Sequence, residues 1–88
     1  MIIELHPRFK KYYKKRIVHN AKLVKQTKKR IALFQSNPHC PLLKNHSLSG
    51  KKTDLRAFSI TGNIRIVYFP VSKNHVLFLD IGTHNQVY

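Results

Sequence analysis

The side chains best able to do chemistry in this chain lie between His46 and the final Tyr88. His46 stands in a basic segment with Lys44, Lys51 and Lys52. Arg56 follows, Arg65 leads the run Arg65-Ile66-Val67-Tyr68, and His84 and Tyr88 close the chain in Gly82-Thr83-His84-Asn85-Gln86-Val87-Tyr88. Imidazole, with an ordinary pKa of about 6.5, both removes and donates protons near neutral pH. Guanidinium groups grip phosphate oxygens bidentately, and a phenol ring stacks on an unpaired base or donates its proton. Together these groups can hold a phosphodiester and move protons around it, which is the chemistry of RNA cleavage.

Other readings of the same residues stay open at this level. His6, His19 and His75 read as surface histidines without a task. If Gly62-Asn63 is a two-residue turn, Arg65 pairs with Ile60 and shares a face with Phe58, Val67 and Phe69, which is core; a turn one residue longer flips it. Arg65 could instead bridge to Asp80, and Tyr88 could fill a gap between helix and sheet. His39-Cys40 with His46 falls short of any zinc-site spacing, so no metal is expected. The chain has no phosphate-binding glycine loop, dinucleotide fingerprint or Gly-x-Ser-x-Gly, and no cofactor is expected. With three acids in all, it has too few carboxylates for two-metal phosphodiester chemistry. What remains is metal-free cleavage in which the RNA's own 2′-hydroxyl attacks phosphorus.

Charge points to the same partner. The 88 residues carry 17 Lys and Arg against three acids, a formal net charge of +14. Such an excess goes beyond solubility and indicates a polyanion, nucleic acid by default. Residues 1–36 hold eleven of the cations and only Glu4, so most of the field comes from the first half. The apolar face of that half is short and mixes Tyr with Lys, which argues against a membrane-surface role. No stretch approaches the ~18 apolar residues of a membrane span, and the opening residues lack the apolar run of a signal peptide. A single cysteine, Cys40, permits no internal disulfide, so a cytoplasmic address is expected.

The elements that must position these groups follow from periodicity. Ile2-Ile3-Glu4-Leu5 is β-prone, and His6-Pro7 stops it while placing proline where a helix begins. Phe9, Tyr13 and Ile17 recur every four residues among lysines. Asn20 can cap a second helix, with Leu23, Val24, Thr27, Ile31 and Phe34 as its buried stripe and Asn37-Pro38 as its end. Residues 37–53 read as a loop. The period then changes to two over 54–60, 64–71 and 75–81, separated by Thr61-Gly62-Asn63 and Ser72-Lys73-Asn74. The prediction is a single α+β domain over residues 1–88: an N-terminal strand, then two basic helices packed on one face of a mostly antiparallel sheet of about four strands. The other sheet face stays partly open.

The motifs His46-Ser47-Leu48-Ser49-Gly50, Leu55-Arg56, Gly62-Asn63-Ile64-Arg65-Ile66-Val67-Tyr68 and Ile81-Gly82-Thr83-His84-Asn85-Gln86-Val87-Tyr88 resemble those of the bacterial RelE/ParE toxin superfamily, above all its YafQ-type mRNA interferases. This resemblance covers nearly the whole chain in element order, and the ending is its most specific part. It implies a small RelE-like fold and the toxin of a type II toxin–antitoxin pair. Such a toxin is an endoribonuclease that enters the ribosomal A site, cuts the bound mRNA and is silenced by a cognate antitoxin, reaching promoter DNA only through that antitoxin. His46 and His84 resemble the family's acid/base histidines, Arg65 its phosphate-stabilising arginine and Tyr88 its C-terminal aromatic. Lys51 and Lys52 resemble residues that hold the RNA backbone, a role that Lys44 and Arg56 could share. The chain departs from the pattern at Ser59 and Asn63, where some YafQ-type members carry a histidine and an aspartate, and in lacking a helix that some relatives carry after the last strand. The alternatives are a ParE-like DNA gyrase inhibitor, which has no use for His46, His84 and Tyr88, and a non-catalytic RNA-binding protein, which needs only the cations.

Overall fold

The computed structural model describes residues 1–50 and 54–88, so Lys51 and Lys52 lie outside the described residues. Strand β1 (Ile2–Leu5) leads into helix α1 (Pro7–Arg16), and helix α2 (Ala21–Ser36) follows. Pro7 sits in the first turn of α1, where its fixed φ suits the helix and its missing N–H is no loss. The His6 ring caps the turn, its Nδ1 accepting from the Arg8 backbone N–H at 3.0 Å. Asn20 caps α2 as expected: its Oδ1 accepts from the backbone N–H groups of Lys22 and Leu23 at 3.1 and 3.2 Å. These are two of the orphan donors every helix start must satisfy. Asn20→Ala is accordingly expected to cost about 1 kcal/mol, read as a lowered midpoint in denaturant with unchanged slope.

A 3₁₀ turn (Pro41–Leu43) and strand β2 (His46–Ser47) precede the meander of β3 (Arg56–Ser59), β4 (Ile64–Ser72) and β5 (His75–Thr83), which ends in a one-turn helix, α3 (His84–Val87). The sheet order is β1-β5-β4-β3-β2. The described residues thus form five strands rather than about four. The extra one is the two-residue β2, too short to show alternation, which pairs antiparallel with β3 through His46 opposite Ala57 and Ser47 opposite Arg56. β1 pairs parallel with β5, and the other pairings are antiparallel. Helix α3 stands where none was expected; with four residues it offers too little periodicity to be read.

The principal core lies between the helices and one sheet face. Phe9, Ile17 and Phe34 from the helical half meet Phe58, Ile60, Ile64, Ile66, Tyr68, Phe78 and Ile81 from the strands. Phe34 is its hub, stacked on Phe58 at 4.4 Å between centroids and set edge-on to Tyr68 at 5.0 Å. On the other face a smaller cluster of Leu48, Ala57, Val67 and Val87 ties β2's loop and α3 to the sheet. Along β3 and β4 the two clusters take alternate residues, as a pleated strand requires.

That alternation decides the fate of Arg65. The turn between β3 and β4 is the longer one: Arg65 pairs with Ser59, not with Ile60, and Phe58 pairs with Ile66. Thr61 enforces this register. Its Oγ1 accepts from the backbone N–H groups of Asn63 and Ile64 at 3.1 and 3.0 Å, while the Ile60 and Thr61 N–H groups both donate to the Ile64 carbonyl. A one-residue slip exchanges the faces of a strand, so Arg65 leaves the helix side and joins the face of Ala57, Ser59 and Val67. Nor does it bridge to Asp80. That buried carboxylate receives Arg8 at 3.4 Å, Arg16 at 3.3 Å and the Ile81 backbone N–H at 2.9 Å, anchoring α1 to β5.

Candidate active site

The open face carries a concavity of about 430 Å³ lined by His46, Ser47, Leu48, Ser49, His84 and Tyr88. Two residues 38 positions apart in the sequence, His46 and His84, are brought together there, one from the edge strand β2 and one from the short helix that follows β5. Tyr88 links them. Its ring lies edge-on to His84 at 4.4 Å and to His46 at 6.4 Å, and its hydroxyl is 3.4 Å from His46 Nε2. The Arg65 guanidinium stands 5.9 Å from the centre of the same ring. Three of the four residues singled out for catalysis, His46, Arg65 and His84, therefore gather around the fourth, Tyr88.

Each is held by a local device. Lys44 adopts a left-handed backbone (φ 50°), which turns its carbonyl so that His46 Nδ1 meets it at 2.8 Å. A carbonyl can only accept, so in the neutral ring Nδ1 carries the proton and Nε2, facing Tyr88, has the free lone pair. Asn45 fixes the approach to β2: its Nδ2 donates to the Pro38 carbonyl at 3.0 Å, and its Oδ1 receives the Tyr68 hydroxyl and Arg56 Nε, both at 3.0 Å. At the other end, Thr83 and Gln86 form a capping box around α3, with the Thr83 N–H donating to Gln86 Oε1 at 2.8 Å. Val87 is buried and pins the turn, leaving His84 and Tyr88 on its outer side.

Partial burial pushes the Tyr88 phenol above its ordinary pKa, and the nearby Arg65 cation pulls against that rise. The phenol therefore stays protonated through the neutral range, where it can donate a hydrogen bond but not act as a base.

The four cations expected to hold RNA fall differently. Lys44 lines a second concavity, with Arg30 and Arg65. Arg56 does not share Arg65's face: it lies one residue off in the alternation of β3, donates to Asn45 and, at 2.8 Å, to Ser47 Oγ, and lines a separate hollow beside Phe34 and Tyr68. It braces β2 and does not face the groove with Arg65, because the two arginines stand at positions of opposite parity in the paired strands. Lys51 and Lys52 lie outside the described residues. Of the departures, Ser59 is buried beside Arg65 and Asn63 is exposed in the turn.

Sequence reading missed Asn45, Gln86 and Gly82. Thr83-x-x-Gln86 carries the capping-box spacing and could have been found; Asn45 gives no such signal, since its partners are distant in the chain. Gly82 is required by close approach: a Cβ there would fall 2.6 Å from Gln86 Oε1 and 2.7 Å from Arg16 Nη1. Both are ends of flexible side chains, so Gly82→Ala is expected to lower stability by only about 1 kcal/mol. It dislodges the capping box, however, and should reduce activity more than the melting curve suggests; equal loss of both would place Gly82's role in folding alone.

No protein-family model matches the sequence, and no curated protein matches it by sequence. The fold does have counterparts. A metal-bound toxin from Helicobacter pylori superposes with a TM-score of 0.80 at 25% identity, over 100% of this chain and 99% of that one. YafQ in the DinJ–YafQ toxin–antitoxin complex of E. coli gives 0.75 at 21% identity, over 98% and 94%. A YoeB/ParE toxin from Agrobacterium tumefaciens gives 0.72 at 18%, over 96% and 99%. The chain has the RelE/ParE toxin fold over essentially its whole length, as its motifs implied.

Proposed function

From the RelE/ParE toxin fold as premise, we propose that this chain is the toxin of a type II toxin–antitoxin pair, an endoribonuclease that cuts ribosome-bound mRNA without a metal. The observation that carries the reading is the convergence of His46 Nε2, His84 and Arg65 on the Tyr88 ring. In the reaction His46 Nε2, whose lone pair is freed by the Nδ1 bond to Lys44, takes the proton of the 2′-hydroxyl at the cut position. The 2′-oxygen attacks phosphorus, Arg65 offsets charge on the phosphorane, and protonated His84 gives its proton to the departing 5′-oxygen. The products are a 2′,3′-cyclic phosphate and a 5′-hydroxyl end. Tyr88, protonated, orients His46 and offers its ring to a base.

The +14 charge supports RNA as the partner, with the helical cations lying on ribosomal RNA and the ribosome holding the message in line. The likeness to YafQ in its complex with DinJ supports an antitoxin partner, which would cover the groove with an acidic or amphipathic segment. Among the described residues no helix is long and apolar enough to cross a membrane, and a cytoplasmic site of action is part of the proposal.

Primer extension on translating ribosomes tests the reading: new 3′ ends in the message are expected at catalytic amounts of protein. The likeness to a YoeB/ParE toxin supports gyrase inhibition as a second reading. An uncut message at saturating protein, together with inhibited DNA supercoiling, would transfer the assignment to it. Tyr88→Phe adds a finer check. Because the phenol does not titrate in the neutral range, this variant is expected to lose about tenfold in rate while keeping the shape of the pH–rate profile between about pH 6 and 9. A shifted limb would mean that Tyr88 itself exchanges a proton in the reaction.

A further inference from the structure

The second concavity, of about 290 Å³, is lined by Arg30, Lys44, Ser59, Thr61, Gly62 and Arg65 beside Pro41 and Leu42, and among the described residues no carboxylate lines it. Three cationic residues around one hollow without a counter-charge repel one another, and an anion removes that cost. Arg65, which lines the hollow, has its Nε buried with no hydrogen-bond partner among the described residues, an unusual state for a strong donor. Arg30 is held in place by its Nη1 bond to the Leu42 carbonyl at 2.6 Å, which uses one of a guanidinium's five donors. The Thr61 hydroxyl oxygen already accepts from two backbone N–H groups, so its hydrogen is what it has left to offer.

The hollow borders the His46–His84 cleft. Lys44 lines the hollow and also holds His46 through its carbonyl, and Arg65 faces the hollow while standing 5.9 Å from the Tyr88 ring. We infer that this concavity is a phosphate subsite, which holds the RNA phosphodiester next to the one being cut. The inference rests on the proposed nuclease reading for the identity of the strand. It gives α2 a part in substrate positioning through Arg30, apart from the general field of the helices. A message anchored at two successive phosphates is fixed in direction as well as place, as in-line attack requires.

The test uses a 2′-O-methylated trinucleotide without terminal phosphates, which carries two phosphodiesters and resists internal attack. Titrated into the protein and followed by amide NMR, it is expected to shift Thr61, Gly62 and Asn63. Arg30→Gln and Lys44→Gln should each flatten the dependence of log K on log salt by about 0.7, the value for one single-strand phosphate contact, whereas Lys14→Gln on α1 should not. Replacing the two linkages in turn with neutral methylphosphonate should reveal one replacement that weakens the parent protein and leaves Arg30→Gln unaffected. The same spectra report whether each variant is folded, and the two substitutions sit on different elements. Unshifted turn amides, or an unchanged salt slope in both variants, would overturn the subsite. If the trinucleotide binds as described but ribosome-bound message stays whole, the nuclease reading fails and the subsite stands; cleavage with unshifted amides has the opposite meaning.

Discussion

A message carrying a 2′-deoxy or 2′-O-methyl sugar at the cut position is expected to resist the protein completely on the time scale in which the ribose message is consumed. The nucleophile in the proposed reaction belongs to the substrate, so removing it leaves nothing for His46 to activate. The same chemistry requires a 2′,3′-cyclic or 3′-phosphate on the upstream fragment and a 5′-hydroxyl on the downstream one. It also predicts cleavage in EDTA at concentrations that leave the ribosome intact. A water nucleophile expelling the 3′-oxygen would give a different pattern: the 2′-deoxy message would be cut, and the upstream fragment would end in a 3′-hydroxyl. Either result would rule out His46 as the base for an internal hydroxyl, and end-group analysis by mass spectrometry distinguishes them.

His84→Gln is expected to lower the single-turnover cleavage rate by 10²–10⁴, the usual loss when one proton-transfer group is removed, and to make expression well tolerated by growing cells. His46→Gln should act as strongly. The pair should also be far from additive, since a reaction that has lost its base gains little from its acid. By contrast, Lys14→Ala removes one of 17 cations from an exposed helical surface and should change growth arrest little. Neither histidine is buried, so the losses should appear without a fall in thermal midpoint. If His84→Gln arrests growth as fast as the parent while Lys14→Ala does not, the chemistry attributed to the cleft is wrong and the helical surface carries the toxicity.

The helical half was legible because burial obeys a local rule. Phe9, Tyr13 and Ile17, then Leu23, Val24, Thr27, Ile31 and Phe34, recur at helical spacing, and these are the residues that meet the sheet, wholly or partly buried. The caps at His6-Pro7 and Asn20 act within three residues of themselves, so sequence suffices to place them. The strands were readable for the same reason, except β2, whose two residues are held by β3 rather than by any pattern of their own.

The sequence by itself determined the fold class, the excess of cations and the inventory of reactive groups, since these depend on composition and short-range period. It also marked His46, Arg65, His84 and Tyr88 as the residues to follow. Only the tertiary structure decided which cations work beside them. A single residue in the length of the β3–β4 turn, set by the Thr61 hydroxyl, moved Arg65 from the core face to the groove face. The same pleat put Arg56 on the opposite side, where it braces β2. Arg30 came to the groove from a helix whose charge had carried no positional information. Periodicity tells which face a residue shares with its neighbours in sequence; the pairing register and the helix docking, set by contacts far along the chain, tell which face that is.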